Sequence, residues 1–358
     1  MDRREFLITS GGAAVAAASP AVAHAEQAAS PPAERLTGGA SLLRLSMPWA
    51  DTPQGPADSA RRLAARIEAM TAGRFRIEIA AGPGGLQEEA DLVHGTAHDF
   101  SRLHPAFAYF AGLPGAAGLC AGDLAHWMTV GGGQMLWDDL AAQHGWKPLL
   151  AGHSGGTPAL WSRDPIIGLA DLSGRRVAAM GLGADVARAL GAEGHDLVPE
   201  RVAASLQEGS LDAAEVGGPV TSLASGVARS ARYATGHGLN GHGTALSLSI
   251  RLSVWNGLSE ADRAIFAAAA GEEYQASLAE ARVHDRLARR VLESSFGVRF
   301  APWPAEIAEA LDRVAEATIA HVAGFDADAA RIDQSYMAFR SAVLGSEAPL
   351  RRASPPLA

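Results

Sequence analysis

The stretch of sequence that decides the fold is residues 171–219, DLSGRRVAAMGLGADVARALGAEGHDLVPERVAASLQEGSLDAAEVGGP. It opens with a short apolar run at 176–180 that stops at a Gly-Leu-Gly turn, which predicts a strand. Val186 and Leu190 then repeat at helical spacing, and Asp185 places a negative charge at the positive end of the helix dipole. The first half of the stretch therefore predicts strand, glycine turn and helix.

The second half of the same stretch repeats this order. Residues 196–199 predict a short extended segment, 202–208 a second amphipathic helix and 211–216 a strand. Two strand–helix–strand units so close together imply parallel strands with buried faces. Ligands of such sheets bind beyond the carboxyl ends of the strands, which are 180–181 and 215–216 here.

Two segments of this stretch carry a resemblance. LADLSGRRVAAMGLG at 169–183 and LQEGSLDAAEVGGP at 206–219 resemble the second lobe of TRAP-transporter solute-binding proteins, nearest the branch that binds α-keto acids. The resemblance implies an α/β, two-lobed periplasmic-binding-protein-like (type II) fold with long C-terminal helices. It further implies a periplasmic protein that captures a small organic solute between its lobes and delivers it to TRAP membrane permease subunits, without catalysis.

The resemblance also implies a binding site, in which several positions differ here. The arginine that clamps the ligand carboxylate corresponds to Ala178, and Arg176 shares its strand face by alternation. The glutamine, glutamate and tryptophan of the metal-and-ligand site correspond to Thr157, Glu215 and Val216. The expected ligand-binding residues are Thr157, Trp161, Arg176, Glu215, Val216 and Asn240. The expected ligands of a cation such as sodium are Thr157, Glu215 and Val216.

Glu215 bears on the kind of solute. A ligand carboxylate buried beside it without a cation would cost several kcal/mol, so a cationic or neutral solute suits the site better than a simple keto acid. A degenerate paralogue that binds no solute stays open as well.

Composition excludes other classes of partner. The chain has 358 residues, enough for two lobes of ordinary size, and a formal net charge of −9, which argues against nucleic-acid binding. The single cysteine, Cys120, excludes an internal disulfide.

The N-terminus predicts export. Arg3-Arg4 begins a twin-arginine motif, a weakly apolar run follows at 8–18, and Ala23-His24-Ala25 is typical of a cleavage site. The apolar run is shorter than the roughly 18–20 residues needed to span a bilayer. We therefore expect a twin-arginine signal peptide and a mature protein in the periplasm.

The remaining chain is assigned to domains by the same patterns. We expect strands at 41–47, 75–79, 147–152 and 245–254, and helices at 60–70, 260–294, 305–322 and 327–343. The expected organisation is a signal peptide (1–25), a disordered leader (26–39), lobe I (40–150, with a return segment at 245–300), lobe II (151–244), C-terminal helices that brace the lobes or form a homodimer (301–343) and a disordered tail (344–358).

Three further motifs belong to other functional classes. Residues 152–156, GHSGG, match the nucleophile elbow of serine hydrolases, although nearby prolines leave no room for the long helix that the elbow requires. Gly181-Leu182-Gly183 opens a helix after a strand, as in dinucleotide-binding folds, but the third glycine is missing. His237 and His242 are either a metal-binding pair or exposed loop residues. The alternative function is thus an exported enzyme, a nicotinamide-dependent oxidoreductase or a serine hydrolase.

Overall fold

The computed structural model describes residues 40–49, 55–81, 90–155 and 158–353. The expected signal peptide, the leader and Thr157 lie outside the described residues. The strands are β1 (Ser41–Met47), β2 (Phe75–Ala81), β3 (Leu92–Thr96), β4 (Trp146–His153), β5 (Ala159–Ser162), β6 (Arg176–Ala179), β7 (Glu193–Asp196), β8 (Ala213–Val216), β9 (Tyr233–Thr235), β10 (Ala245–Arg251) and β11 (Arg299–Ala301).

The α-helices surround the strands and connect them. They are α1 (Pro56–Met70), α2 (Ala108–Ala111), α3 (Ala121–Thr129), α4 (Gly133–Ala142), α5 (Leu182–Ala189), α6 (Val202–Glu208), α7 (Pro219–Ser225), α8 (Leu252–Gly257), α9 (Glu260–Phe296), α10 (Ala305–Ala323) and α11 (Ala327–Ala353). Among the described residues, no helix combines the length and the apolarity needed to cross a membrane.

The first sheet has the strand order β2-β1-β3-β10-β4. β1 pairs in parallel with β2 and β3, whereas β10 lies antiparallel between β3 and β4. The alternating apolar residues of β2, Ile77 among them, share one apolar cluster with Leu63 and Ile67 of α1. The strand–helix–strand order expected at the start of the chain is therefore confirmed.

The second sheet has the order β11-β9-β5-β8-β6-β7. β6 pairs in parallel with both β7 and β8, as the strand–helix–strand pattern of 171–219 predicts. β7 lies earlier than the expected 196–199, because Arg176 of β6 is in register with Glu193. Alternation sends Val177 and Ala178 into different apolar clusters, one on each face of the sheet.

The chain passes from one sheet to the other between β4 and β5, between β9 and β10, and along α9. Phe266 of α9 packs in the apolar cluster of the first sheet, whereas Leu292 packs in a cluster of the second. β11 therefore belongs to the second sheet, so the segment expected to stay in lobe I as far as residue 300 leaves it along α9. These observations give the mixed α/β, two-sheet architecture that the sequence predicts.

Several element ends differ from the expected ones; α1, for example, begins at Pro56 rather than at residue 60. β10 ends at Arg251 rather than near Val254, because Leu252 begins α8 and donates its backbone N–H to the carbonyl of Gly145. α11 continues through Gly345 to Ala353, into the residues expected to form a disordered tail. One glycine costs a helix only about 1 kcal/mol and does not by itself end it.

Candidate functional site

A cavity lies between the two sheets, where several strands end. It holds about 670 Å³ of space, including its opening to solvent. Met180 directly follows β6 and Val216 ends β8, while Thr96 ends β3 of the other sheet. The crossing segments add Ser154 and Thr244. The remaining described lining residues are Trp49, Pro56, Pro158, Leu197, Pro199, Val202, Glu215, Gly217, Thr221, Ser225 and Leu246.

Glu215 is the one acidic residue in the described lining. Its side chain is 6% exposed, and the backbone N–H groups of Leu239 and Asn240 both donate to Oε2. Nδ2 of Asn240 donates to Oε1 at 2.8 Å and also to the carbonyl of Met180 at 3.0 Å. Burial raises the pKa of the Glu215 carboxyl, and the donors from Asn240 and Leu239 oppose this shift. The network fixes the carboxylate to the loop that follows β9.

Glycines shape this loop around the carboxylate. Gly236, Gly238, Gly241 and Gly243 all have positive φ angles, which strain any residue with a Cβ. A Cβ on Gly238 would also lie 2.6 Å from Oε2 of Glu215, closer than real Cβ atoms come. The buried carboxylate therefore requires a glycine at position 238, whereas the Cβ atoms of the other three glycines would meet Trp303, Gly115 and Gly155.

Positive charge is missing from the cavity wall, because no described lining residue is Lys or Arg. His94 meets the ring of Trp49 edge-on, His98 packs against Gly181, and His153 directly precedes Ser154. All three histidines are buried, and desolvation lowers the pKa of each to about 4. They are therefore neutral at pH 7.

Hydroxyl groups are the other polar groups of the lining. They belong to Thr96 of β3, to Ser154 and Thr244 of the crossing segments, and to Thr221 and Ser225 of α7. Each hydroxyl can donate and accept a hydrogen bond. The lining is otherwise apolar apart from Glu215, Gly217 and the buried indole N–H of Trp49, so the site combines an apolar body with hydroxyls and one carboxyl group.

The structure brings some of the expected site residues to the cavity and places others elsewhere. Glu215 and Val216 line the cavity, and Asn240 holds Glu215 in place. Trp161 is 1% exposed and meets the ring of Phe300 edge-on instead of lining the cavity.

Arg176 lies at the start of β6, away from the strand end where the cavity is. Its Nε donates a hydrogen bond to Oδ2 of Asp212 at 2.9 Å, and its Nη2 donates one to Oδ1 at 2.8 Å. The hydrogen bonds from Arg176 are the main reason why the pKa of Asp212 is lowered to about 2. Arg176 therefore does not line this cavity: it shares a strand face with Ala178, but its guanidinium is paired with Asp212.

Sequence reasoning missed the five hydroxyls and the apolar wall. These residues form no motif in the sequence. They come together only because strand ends from two distant parts of the chain meet at the cavity. Ser154 and Thr244 carried one usable signal, since each lies in a segment where the chain changes sheets.

The other motifs acquire structural explanations. The residue after Pro158 begins a strand, β5, rather than the long helix of a nucleophile elbow, and Oγ of Ser154 accepts the backbone N–H of Thr244. Gly181 gives room to the ring of His98. His237 and His242 are exposed, and the described part of the chain contains no group of three His, Cys, Asp or Glu side chains placed to hold a metal ion.

Two sheets, with strand ends facing a shared cavity and segments crossing between them, are the arrangement expected of a two-lobed solute-binding protein. The chain belongs to the bacterial extracellular solute-binding proteins, family 7, whose sequence model matches residues 50–323.

Three relatives illustrate the similarity. The monocarboxylate 2-oxoacid-binding periplasmic protein of Nostoc sp. strain PCC 7120 is 27% identical over 96% of this chain and 95% of its own. A TRAP solute-binding protein from Bordetella bronchiseptica, with copurified calcium and picolinate, superposes with a TM-score of 0.82 at 24% identity, covering 88% of this chain and 96% of that one. One from Pseudoalteromonas atlantica, with sodium and pyruvate, gives a TM-score of 0.79 at 20% identity, covering 88% and 98%.

The family settles the general function. Its members are periplasmic receptors that bind small organic solutes and work with the membrane permease components of TRAP transporters. They are not enzymes, so neither the serine hydrolase nor the oxidoreductase alternative is supported.

Proposed function

We propose that this receptor binds its solute in the cavity between the two sheets and closes around it before delivery to the permease. The observation that carries the proposal is that the cavity takes its wall from the ends of β3, β6 and β8, and thus from both sheets. A solute placed there would contact both lobes at once. Its binding energy would therefore favour a closed arrangement over an open one.

The crossing segments are suited to act as the hinge. The backbone N–H of Ser154 donates to the carbonyl of Thr244 at 2.9 Å, and the N–H of Thr244 donates to Oγ of Ser154 at 2.8 Å. These bonds tie the two crossing segments together beside the cavity. A rotation of one lobe on the other would bend both segments as a pair.

A resident calcium ion does not fit the described residues. Calcium takes about six to eight oxygen ligands. Glu215 is the one carboxylate of the described lining, and its oxygens already accept three N–H donors from the protein. Thr157, an expected partner of Glu215, lies outside the described residues. The site does fit a positive charge that arrives with the solute.

Export and assembly complete the proposal. The motif Arg3-Arg4-Glu5-Phe6-Leu7 supports export by the twin-arginine route, and the long helices α10 and α11 offer a surface for a homodimer. Replacing both arginines with lysine should retain the precursor in the cytoplasm. Light scattering of the purified mature protein would report the mass of a dimer.

A thermal-shift screen of the mature protein tests the solute-binding function. The panel would contain organic acids, amines, alcohols and sugars, each with and without sodium or calcium. A solute at about 100 times its Kd adds roughly 2.7 kcal/mol to the free energy of unfolding, which several degrees of Tm would report. A panel in which no compound raises the Tm would contradict the proposal.

A further inference from the structure

The charge of the cavity narrows the class of solute, on the assumption that the proposed binding site is correct. Its described lining carries one carboxylate, Glu215, and no Lys or Arg. The three buried histidines nearby are neutral at pH 7 because burial holds their pKa values at about 4. The described lining therefore offers one carboxyl group and no cationic side chain.

The internal segments that interrupt the described chain, residues 50–54, 82–89 and 156–157, contain no cationic side chain. They contain Asp51, Glu88 and Glu89. Whatever positions these residues occupy, they cannot supply a cationic side chain to the cavity.

Glu215 has no ion-pair partner in the described protein, since its three donors are two backbone N–H groups and the amide of Asn240. A buried carboxylate without a cation is electrostatically costly, and a second anion beside it would raise the cost further. A cation beside the carboxylate would offset this electrostatic cost. Because the described donor set does not fit a resident calcium ion, the cation is best carried by the solute itself.

The rest of the lining specifies the body of that solute. Trp49, Met180, Val202 and Val216 present apolar surface, and the hydroxyls of Thr221 and Ser225 can accept hydrogen bonds from an ammonium group. We propose that the cavity selects a small organic cation, an ammonium group on a compact apolar body, and rejects free carboxylates.

Isothermal titration with isosteric probes tests the proposal. Isoamylamine, isoamyl alcohol and isovalerate share one branched apolar body and differ in charge. Choline adds a quaternary ammonium, and pyruvate is titrated alone, with sodium and with calcium. We expect at least one ammonium probe to bind and isoamylamine to exceed isoamyl alcohol by about tenfold in affinity, whereas isovalerate and pyruvate do not bind measurably.

Two variants assign the preference to the cavity. Glu215→Gln removes the charge and should abolish the preference for the amine over the alcohol. Glu208→Gln removes an exposed carboxylate of α6 in the same lobe and should leave the preference unchanged. If Glu215→Gln does not fold, the comparison of isosteres on the unaltered protein still decides.

The outcomes separate this inference from the function it rests on. Pyruvate or isovalerate binding more tightly than the ammonium probes, with or without a metal ion, would overturn the cationic solute but retain the receptor. Equal binding of the amine and its alcohol would overturn it too. If no compound of any class binds, the cavity itself is wrong as the solute site.

Discussion

Replacing Gly238 with alanine tests the loop that holds Glu215. Gly238 has a φ angle of 69°, and a Cβ there would lie 2.6 Å from Oε2 and 2.9 Å from the carboxyl carbon of Glu215. The left-handed backbone costs an alanine about 1–2 kcal/mol. Displacing the carboxylate weakens charge-assisted hydrogen bonds of about 1.5–3 kcal/mol each. We expect Gly238→Ala to lower the free energy of unfolding by about 3–5 kcal/mol.

Gly226→Ala is the matched control. Gly226 has a similar φ angle of 73°, but a Cβ there would meet nothing within 4 Å, so only the backbone strain of about 1–2 kcal/mol should appear. Thermal and urea unfolding of both variants measure the difference. At about 2–4 °C per kcal/mol, Gly238→Ala should melt roughly 5–10 °C below Gly226→Ala. Equal losses in the two variants would refute the conclusion that the loop is shaped around the carboxylate.

Three further predictions concern the hinge, the second sheet and the contact between the sheets. Burial raises the pKa of Asp285, whose Oδ1 accepts the N–H of Val220, to about 6, above the unfolded value of about 3.9. The folded protein thus binds this proton more tightly than the unfolded chain, and the resulting stability is present below pH 4 and lost as pH rises through 6. Asp285→Asn should therefore stabilise the protein by about 2 kcal/mol more at pH 7.5 than at pH 4.5. An equal effect of the substitution at both pH values in thermal unfolding would contradict this prediction. Arg176→Gln should leave solute affinity in calorimetric titration unchanged, because the guanidinium bonds Asp212 and lies outside the cavity wall; a large loss would return Arg176 to the binding site. Gly181→Ala would place a Cβ 2.1 Å from Nδ1 of His98 and should lower the free energy of unfolding by about 2–4 kcal/mol. His98→Ala should restore part of this loss in the double variant. No restoration would show that backbone strain at position 181 alone is responsible.

The regular elements could be predicted because their patterns are local. The strand–turn–helix order of 171–219 and the helices predicted at 202–208 and 260–294 all depend on residues close in sequence. Each was expected, and each is present. Two of the element ends that differed, at β7 and β10, depend on contacts with distant parts of the chain.

The candidate site was only partly predictable. Glu215 and Val216 could be found because they end a strand whose place in the sheet follows from its pattern. Arg176 could not be assigned, because strand alternation gives its face but not its partner, Asp212, thirty-six residues further along the chain. The glycine-rich loop is visible in the sequence, but the contact of Gly238 with the Glu215 carboxylate appears only in three dimensions.

The most direct test of solute binding between the sheets is a titration of variants that fill the cavity. Ser225 lines the cavity from α7, whereas its neighbour Ala224 does not. With the solute that gives the largest thermal shift, calorimetry should show one site in the unaltered protein and in Ala224→Trp. Ser225→Trp should lose at least about 100-fold in affinity, roughly 2.7 kcal/mol, because the indole occupies the cavity. Unchanged affinity in a folded Ser225→Trp protein would contradict the account, since the solute would then bind elsewhere.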